Sequence, residues 1–252
     1  MSKAVVFFAE GTEECEALLV VDLLRRAKVE VIVASAMGRR ELVSSHKIHL
    51  TADALAEEVD YSDVDMVVLP GGIPGTPNLA ANKTVTETCA AFAKAGRKVA
   101  AICAAPSILA SLGLLEGRNA TAHAGFQDQL AGAIVHDEEV VVDGNITTSY
   151  GLGGAIPFAL ELVRQLDRQA HTSELATLLR YEAGKTQAWL SVLKRGQKID
   201  EKTLTTQTAK QRESLQQSVI PSGLQNSGFV TQAETERLLA DHDAMDLINN
   251  HF

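Results

Sequence analysis

The chain has 252 residues, of which 46% are hydrophobic, 22% charged and 4% aromatic, with a formal net charge of −9. So much apolar material excludes disorder throughout, and the acidic balance argues against nucleic acid as a partner, since phosphate needs a basic face. No run approaches the ~20 apolar residues that span a bilayer, and Cys15, Cys89 and Cys103 make neither a disulfide framework nor a CxxC metal pair, so the expectation is a soluble cytoplasmic protein with no membrane partner and no metal.

In chain order, the apolar stretch 4–8 is closed by Glu10 and reads as a strand, not a signal peptide. Short aliphatic runs recur at 29–34, 66–69 and 99–102, bounded by polar or turn residues, as for strands buried on both faces. Between them, 14–27 and 83–95 carry apolar residues at the spacing of helices that cover a sheet. Two further strands, 139–142 and 146–149, flank Asp143-Gly144-Asn145, a hairpin-turn signal, and a last helix runs from about 154 to 166. Alternation of this kind predicts an α/β fold, a mostly parallel sheet with right-handed crossovers and helices on both faces.

Composition changes near residue 167. Residues 1–166 carry 13 Lys and Arg against 21 Asp and Glu, whereas 167–252 carry 10 against 11 and hold nine of the twelve glutamines. The division expected is a folded domain at 1–166 and a helical extension at 167–252. Within the extension, 172–194 has helical spacing, 196–228 is a polar linker, and Thr231 with Glu234 makes a capping-box pattern before a second helix.

Ligands in an open parallel sheet bind beyond the carboxyl ends of its strands, and three chemically equipped segments fall there. Cys103 directly follows the strand 98–102 and precedes a helix beginning near Pro106, so a strand-to-helix turn lifts its thiol out of the sheet and the helix start favours a thiolate. Read alone, a cysteine in that position is more often a buried small hydrophobe. The acidic run Glu13-Glu14-Cys15-Glu16 follows the first strand. Acids in a first helical turn are ordinarily solvated, yet one of them turned inward beside a thiol acquires a raised pKa and serves as an acid or base. At Leu69-Pro70-Gly71-Gly72 the paired glycines allow close backbone approach and amides that hold an oxyanion, while the spacing fails as a phosphate loop. His123, in Thr-Ala-His-Ala-Gly, is placed to stand near the thiol, although a lone histidine is more often structural. His46 and His49 lie apart, and no carboxylate motif makes them metal ligands.

Taken together, AEGTEECEALLVVDLLRRA, DMVVLPGGIPG, VAAICAAPSIL, TAHAGFQDQL and ITTSYGLGGAIPFAL resemble the ThiJ/PfpI superfamily, most closely its DJ-one-like branch, across residues 3 to about 166. The resemblance implies a flavodoxin-like, mostly parallel sheet sandwiched by helices, and no cofactor. It implies Cys103 as an oxidation-prone nucleophile, Glu16 as its protonated partner, His123 as the nearby histidine, and Gly72 and Ala104, with Gly71 beside them, as backbone groups for oxyanion and substrate. Ala104 stands where the protease-like branch carries histidine, and His123-Ala124-Gly125 lacks the HxE element of glutamine amidotransferases, so neither activity is expected. Two departures from the family's close relatives stand near the site, His46 in place of an arginine and Tyr150 at a polar position. The function implied is glyoxalase III-like conversion of methylglyoxal to lactate, or deglycation of proteins, with a small aldehyde or a glycated protein as partner and a homodimer as the assembly. The alternative is a redox-sensing, chaperone-like stress protein that uses the same cysteine.

Overall fold

The aliphatic runs form the strands of a seven-stranded sheet in the computed structural model, which describes residues 2–166; the predicted helices at 172–194 and beyond Thr231, and the linker 196–228, lie outside the described residues. In chain order the elements are β1 (Lys3–Phe8), α1 (Glu14–Arg26), β2 (Glu30–Ser35), β3 (Glu41–Val43), β4 (His49–Thr51), β5 (Ala54–Leu55) and β6 (Met66–Leu69). Then come α2 (Gly75–Ala81), α3 (Lys83–Lys94), β7 (Lys98–Ile102), α4 (Pro106–Ser111), β8 (Asn119–Ala120), β9 (Ile134–Val135), β10 (Val140–Asp143), β11 (Ile146–Ser149) and α5 (Ala155–Leu166). The main sheet has the order β10-β11-β7-β6-β1-β2-β5, parallel throughout except for β10, which pairs antiparallel with β11.

Strand alternation divides the core in two. Ala4, Val6 and Phe8 of β1 pack with Val20, Leu23 and Leu24 of α1 and Phe158, Leu162 and Val163 of α5. Their neighbours Val5 and Phe7 face the other way, against Val85, Cys89 and Phe92 of α3 and Ile108 and Leu109 of α4. Each fully buried side chain of this size contributes about 1.5–3 kcal/mol relative to exposure. The two-layer burial is why the central strands read as continuous apolar runs rather than as alternating ones.

The chain leaves β1 toward β2 and β5, then returns to β6 on the other side, so the sheet reverses direction between β1 and β6. A crevice opens at such a reversal, beyond the carboxyl ends of the strands. Here the loops after β1 and β6 are laced together. Glu13 N–H donates to Gly71 O at 2.9 Å and Gly75 N–H to Gly11 O at 3.1 Å. The small β3–β4 hairpin is tied to the same loops, with Gly11 N–H on Val43 O at 2.8 Å and Ser45 N–H on Thr12 O at 2.9 Å. No helix among the described residues is long and apolar enough to cross a membrane.

Candidate active site

Cys103 directly follows β7 with φ of +64°, a left-handed conformation uncommon for a residue with a Cβ. Two backbone bonds hold it there: its N–H donates to Ser149 O and its carbonyl accepts from His123 N–H, both at 2.9 Å. The bend turns the half-buried sulfur toward the β1–β6 crevice. Helix α4 starts at Pro106 as the sequence predicts but has only six residues, so its dipole is weak, and the polar support for the sulfur comes from individual amides.

The acid facing the thiol is Glu16. Its position in the first turn of α1 is set by Glu13, the N-cap, whose carboxylate accepts the Glu16 N–H at 2.6 Å. The side chain, 1% exposed, runs inward to Cys103, with which it shares a hydrogen bond, and it accepts the Gly71 N–H at 3.0 Å and the Leu152 amide. Burial, outweighing these bonds, pushes the carboxyl up to about 7, with the neighbouring Glu13 charge adding to the rise. Gly71 permits the approach, because a Cβ there would lie 2.6 Å from Cys103 Cβ, 2.7 Å from Glu16 Oε2 and 3.1 Å from Cys103 Sγ.

The thiol is likewise raised, by burial first and then by the Glu16 carboxylate beside it, against the pull of the Ala104 and Gly72 amides that address the sulfur. The two groups titrate as a pair: once either has lost its proton, removing the other becomes harder, so sulfur and carboxyl together carry at most one negative charge. With the proton on Glu16, the carboxyl and two amides all donate to a thiolate. The residues Cys103, Glu16, Gly72 and Ala104 thus meet at one point. Gly71 is also present, but its amide is engaged by Glu16.

His123 lies beside this group without a hydrogen bond to the thiol among those described. Its Nδ1 accepts the Gly125 N–H at 3.2 Å, and a Cβ added to Gly151 would sit 3.6 Å from both the His123 Cδ2 and the Cys103 Sγ. Gly151 and the Leu152 amide complete the wall, and the sequence marks them only by the glycine-rich Gly151-Leu152-Gly153-Gly154 after a strand.

Glu14 departs from the expectation of a solvated first-turn acid. It is 5% exposed, with Oε2 accepting from Ser45 Oγ at 3.2 Å and Oε1 lying 2.9 Å from His46 Nδ1. Burial opposes its ionisation, yet bonds from its own amide, Ser44, Ser45 and the His46 amide prevail and hold its pKa below the ordinary value. His46 therefore does have a carboxylate partner, supplied by a fold contact that no sequence motif marks. Glu13, Glu14 and His46 each place one ligand-type atom within 4.8 Å of the others. Of the remaining cysteines, Cys89 is fully buried in α3, where burial alone pushes its thiol up to about 12, while Cys15 is exposed on α1 with its pKa raised by burial and by Glu13, Glu14 and Glu16.

A half-buried thiol on a left-handed strand-to-helix bend, facing a buried carboxyl at the reversal point of a parallel sheet, defines a nucleophile-elbow α/β protein. The chain belongs to the DJ-1/PfpI family, which matches residues 2–165. It is 36% identical over 162 residues to protein DJ-1 homolog B of Arabidopsis thaliana, a match covering 64% of this chain and 37% of the plant protein. It is 34% identical over 166 residues to Deglycase TK1284 of Thermococcus kodakarensis, covering 65% of this chain and 99% of that protein. Among solved structures, oxidized DJ-1 of Toxoplasma gondii superposes with a TM-score of 0.69 at 34% identity, over 72% of this chain and 99% of that one.

Proposed function

We propose that this protein is a cofactor-independent thiol enzyme of the glyoxalase III and deglycase kind, acting on 2-oxoaldehydes such as methylglyoxal and on their early protein adducts. The observation that carries the reading is the buried Glu16 carboxyl, pushed up to about 7, against the Cys103 sulfur. The name of the Thermococcus relative supports it.

In this mechanism the Cys103 thiolate adds to the aldehyde carbon, and the oxygen of the broken carbonyl π bond takes the proton from Glu16, giving a hemithioacetal. The Gly72 and Ala104 amides hold that oxygen while it carries charge. Glu16, now a carboxylate, removes the hydrogen from the former aldehyde carbon to form an enediol and returns a proton to the adjacent carbon, leaving a thioester. Water then cleaves the thioester to the 2-hydroxy acid and frees the thiol. Overall one water is consumed and no external oxidant is required. A deglycation reaction uses the same thiol on the adduct carbon and releases the amine. His123, exposed at the edge of the group, is placed to steer water or leaving group. Assembly as a homodimer and residence in the cytoplasm belong to the same proposal.

Glu16→Gln keeps the shape and removes the acid. Lactate formation from methylglyoxal should fall at least a hundredfold, the scale of a general acid–base contribution. Rates comparable to the unmodified protein would overturn the mechanism.

One observation favours a second reading, redox sensing. The amides and carboxyl that address the sulfur would also hold the oxygens of a sulfinate, and the Toxoplasma relative was solved in an oxidized form. Intact-mass measurement after mild peroxide decides between them: a gain of two oxygens on Cys103 with negligible turnover favours the sensor.

A further inference from the structure

The Cys103–Glu16 pair sits at an acidic helix start, and Glu13 raises the Glu16 carboxyl through its charge. Glu13 caps α1 against the Glu16 amide at 2.6 Å, and Glu14 is buried one residue further on. Glu14 Oε1 lies 2.9 Å from His46 Nδ1, and among the described residues no lysine or arginine pairs with Glu13, Glu14 or Glu16. The wider field has the same sign, with 13 Lys and Arg against 21 Asp and Glu through residue 166.

The amide donors facing the crevice are already assigned. Gly72 and Ala104 address the sulfur, Gly71 and Leu152 address Glu16, and Gly125 donates to His123. They serve the sulfur and the oxyanion formed at the reacting carbon, and none of them is a charged group that could pair with a carboxylate elsewhere on a substrate. The residues beside these amides are apolar and exposed: Ile73, after Gly72, at 57%, and Leu152 at 49%.

We infer that the site selects by charge: it takes 2-oxoaldehydes that are neutral or that sit beside a cationic group, and rejects those bearing a carboxylate or phosphate. The inference rests on the 2-oxoaldehyde reading and adds the class of substrate within it. A carboxylate on the substrate would approach the Glu13–Glu14 pair and the shared Cys103–Glu16 charge across partly apolar walls, where repulsion is poorly screened. A neutral chain would lie on Ile73 and Leu152. An ammonium or guanidinium neighbour, as on an adduct of a lysine or arginine side chain, would be drawn to the acids.

The test compares 2-oxopentanal with 4,5-dioxopentanoate, two 2-oxoaldehydes of equal chain length that differ by a terminal methyl against a carboxylate. At about 20 mM ionic strength the full-length protein should turn over the neutral compound with kcat/KM about tenfold or more above the anion. Raising ionic strength to about 0.5 M should shrink that ratio several-fold by screening, with little change for the neutral compound. Glu14→Gln should narrow the ratio about threefold at low salt, and the salt series on the unmodified protein stands even if this variant fails to fold. Equal kcat/KM for the two compounds at low salt, or a preference for the anion, would overturn the inference while leaving the function reading in place. No turnover of either would overturn both.

Discussion

Three acids occupy four consecutive positions at the start of α1, and each does something different. Glu13 caps the helix, Glu14 is buried against Ser45 and His46, and Glu16 enters the crevice. Only the last has a pKa raised to about 7 from an ordinary 4.5, and that difference is also a statement about stability. In the unfolded chain Glu16 loses its proton near 4.5, whereas in the native state it keeps it to about 7. The native state therefore binds more protons at this residue across the window, so the Glu16 contribution to stability is fully present below pH 4.5 and is lost as the pH rises through 7. A shift of this size corresponds to about 3 kcal/mol at most. Glu16→Gln has no such proton to lose. Urea midpoints followed by circular dichroism should show the variant gaining on the unmodified protein between pH 5 and pH 8, by about 1–3 kcal/mol, even as its turnover disappears. Parallel pH profiles for the two proteins would reject the buried, proton-retaining carboxyl.

At the scale of elements, the bend between β7 and α4 carries strain that a glycine would not. Cys103 holds φ of +64° because Ser149 and His123 pin both sides of its backbone, and a left-handed conformation costs a residue with a Cβ roughly 1 kcal/mol. Neither Cys103→Gly nor Cys103→Ala retains a thiol, so only the backbone separates them. The glycine variant should be the more stable by about 1 kcal/mol in urea unfolding, less whatever the freer unfolded chain takes back. An alanine variant equal to it or better would mean that the bend is relaxed. The sequence shows this bend clearly, as it does β1, β6, β7 and the β10–β11 hairpin, in which Gly144 takes φ of +60° and Asp143 pairs with Ile146. It does not show β3 and β4, which have three residues each and little apolar character, or the turn between them, where Lys47 adopts φ of +67° without a glycine to mark it. Helix α2 is hidden for the opposite reason: it begins inside Gly71-Gly72-Ile73-Pro74-Gly75-Thr76-Pro77, whose composition reads as loop. The missing hairpin is what conceals the burial of Glu14, since Ser45 and His46 arrive on it. Which of the three acids turns inward is likewise open from local sequence. The fit that admits Glu16 depends on the absent Cβ of Gly71, in the loop after β6, and the family resemblance supplies the pairing where helical spacing alone does not.

For the whole molecule, the proposal that 1–166 is a self-sufficient domain has a direct consequence. Both core layers are drawn from residues between Ala4 and Leu166, and the two ends of that stretch are tied together where Ser2 Oγ donates to Leu166 O at 2.8 Å. The elements that build the Cys103 crevice, namely the loops after β1, β6, β7 and β11, all lie inside the same span. A chain ending at Leu166 retains every one of these contacts and loses only the segment whose charges nearly cancel, 10 basic against 11 acidic residues in 167–252. It should unfold in a single cooperative transition, and Cys103 should react with a thiol reagent within about twofold of the full-length rate, because the groups that set its ionisation are unchanged. Loss of cooperativity would show that 167–252 contribute to the core. Intact folding with a large change in thiol reactivity would place part of that segment over the crevice. The same pair of proteins, compared by sedimentation, separates assembly from catalysis: a homodimer that persists without 167–252 must be made by the domain's own exposed apolar residues, such as Leu18 and Ile48, whereas one that dissociates with turnover intact would assign assembly to the extension and chemistry to the domain.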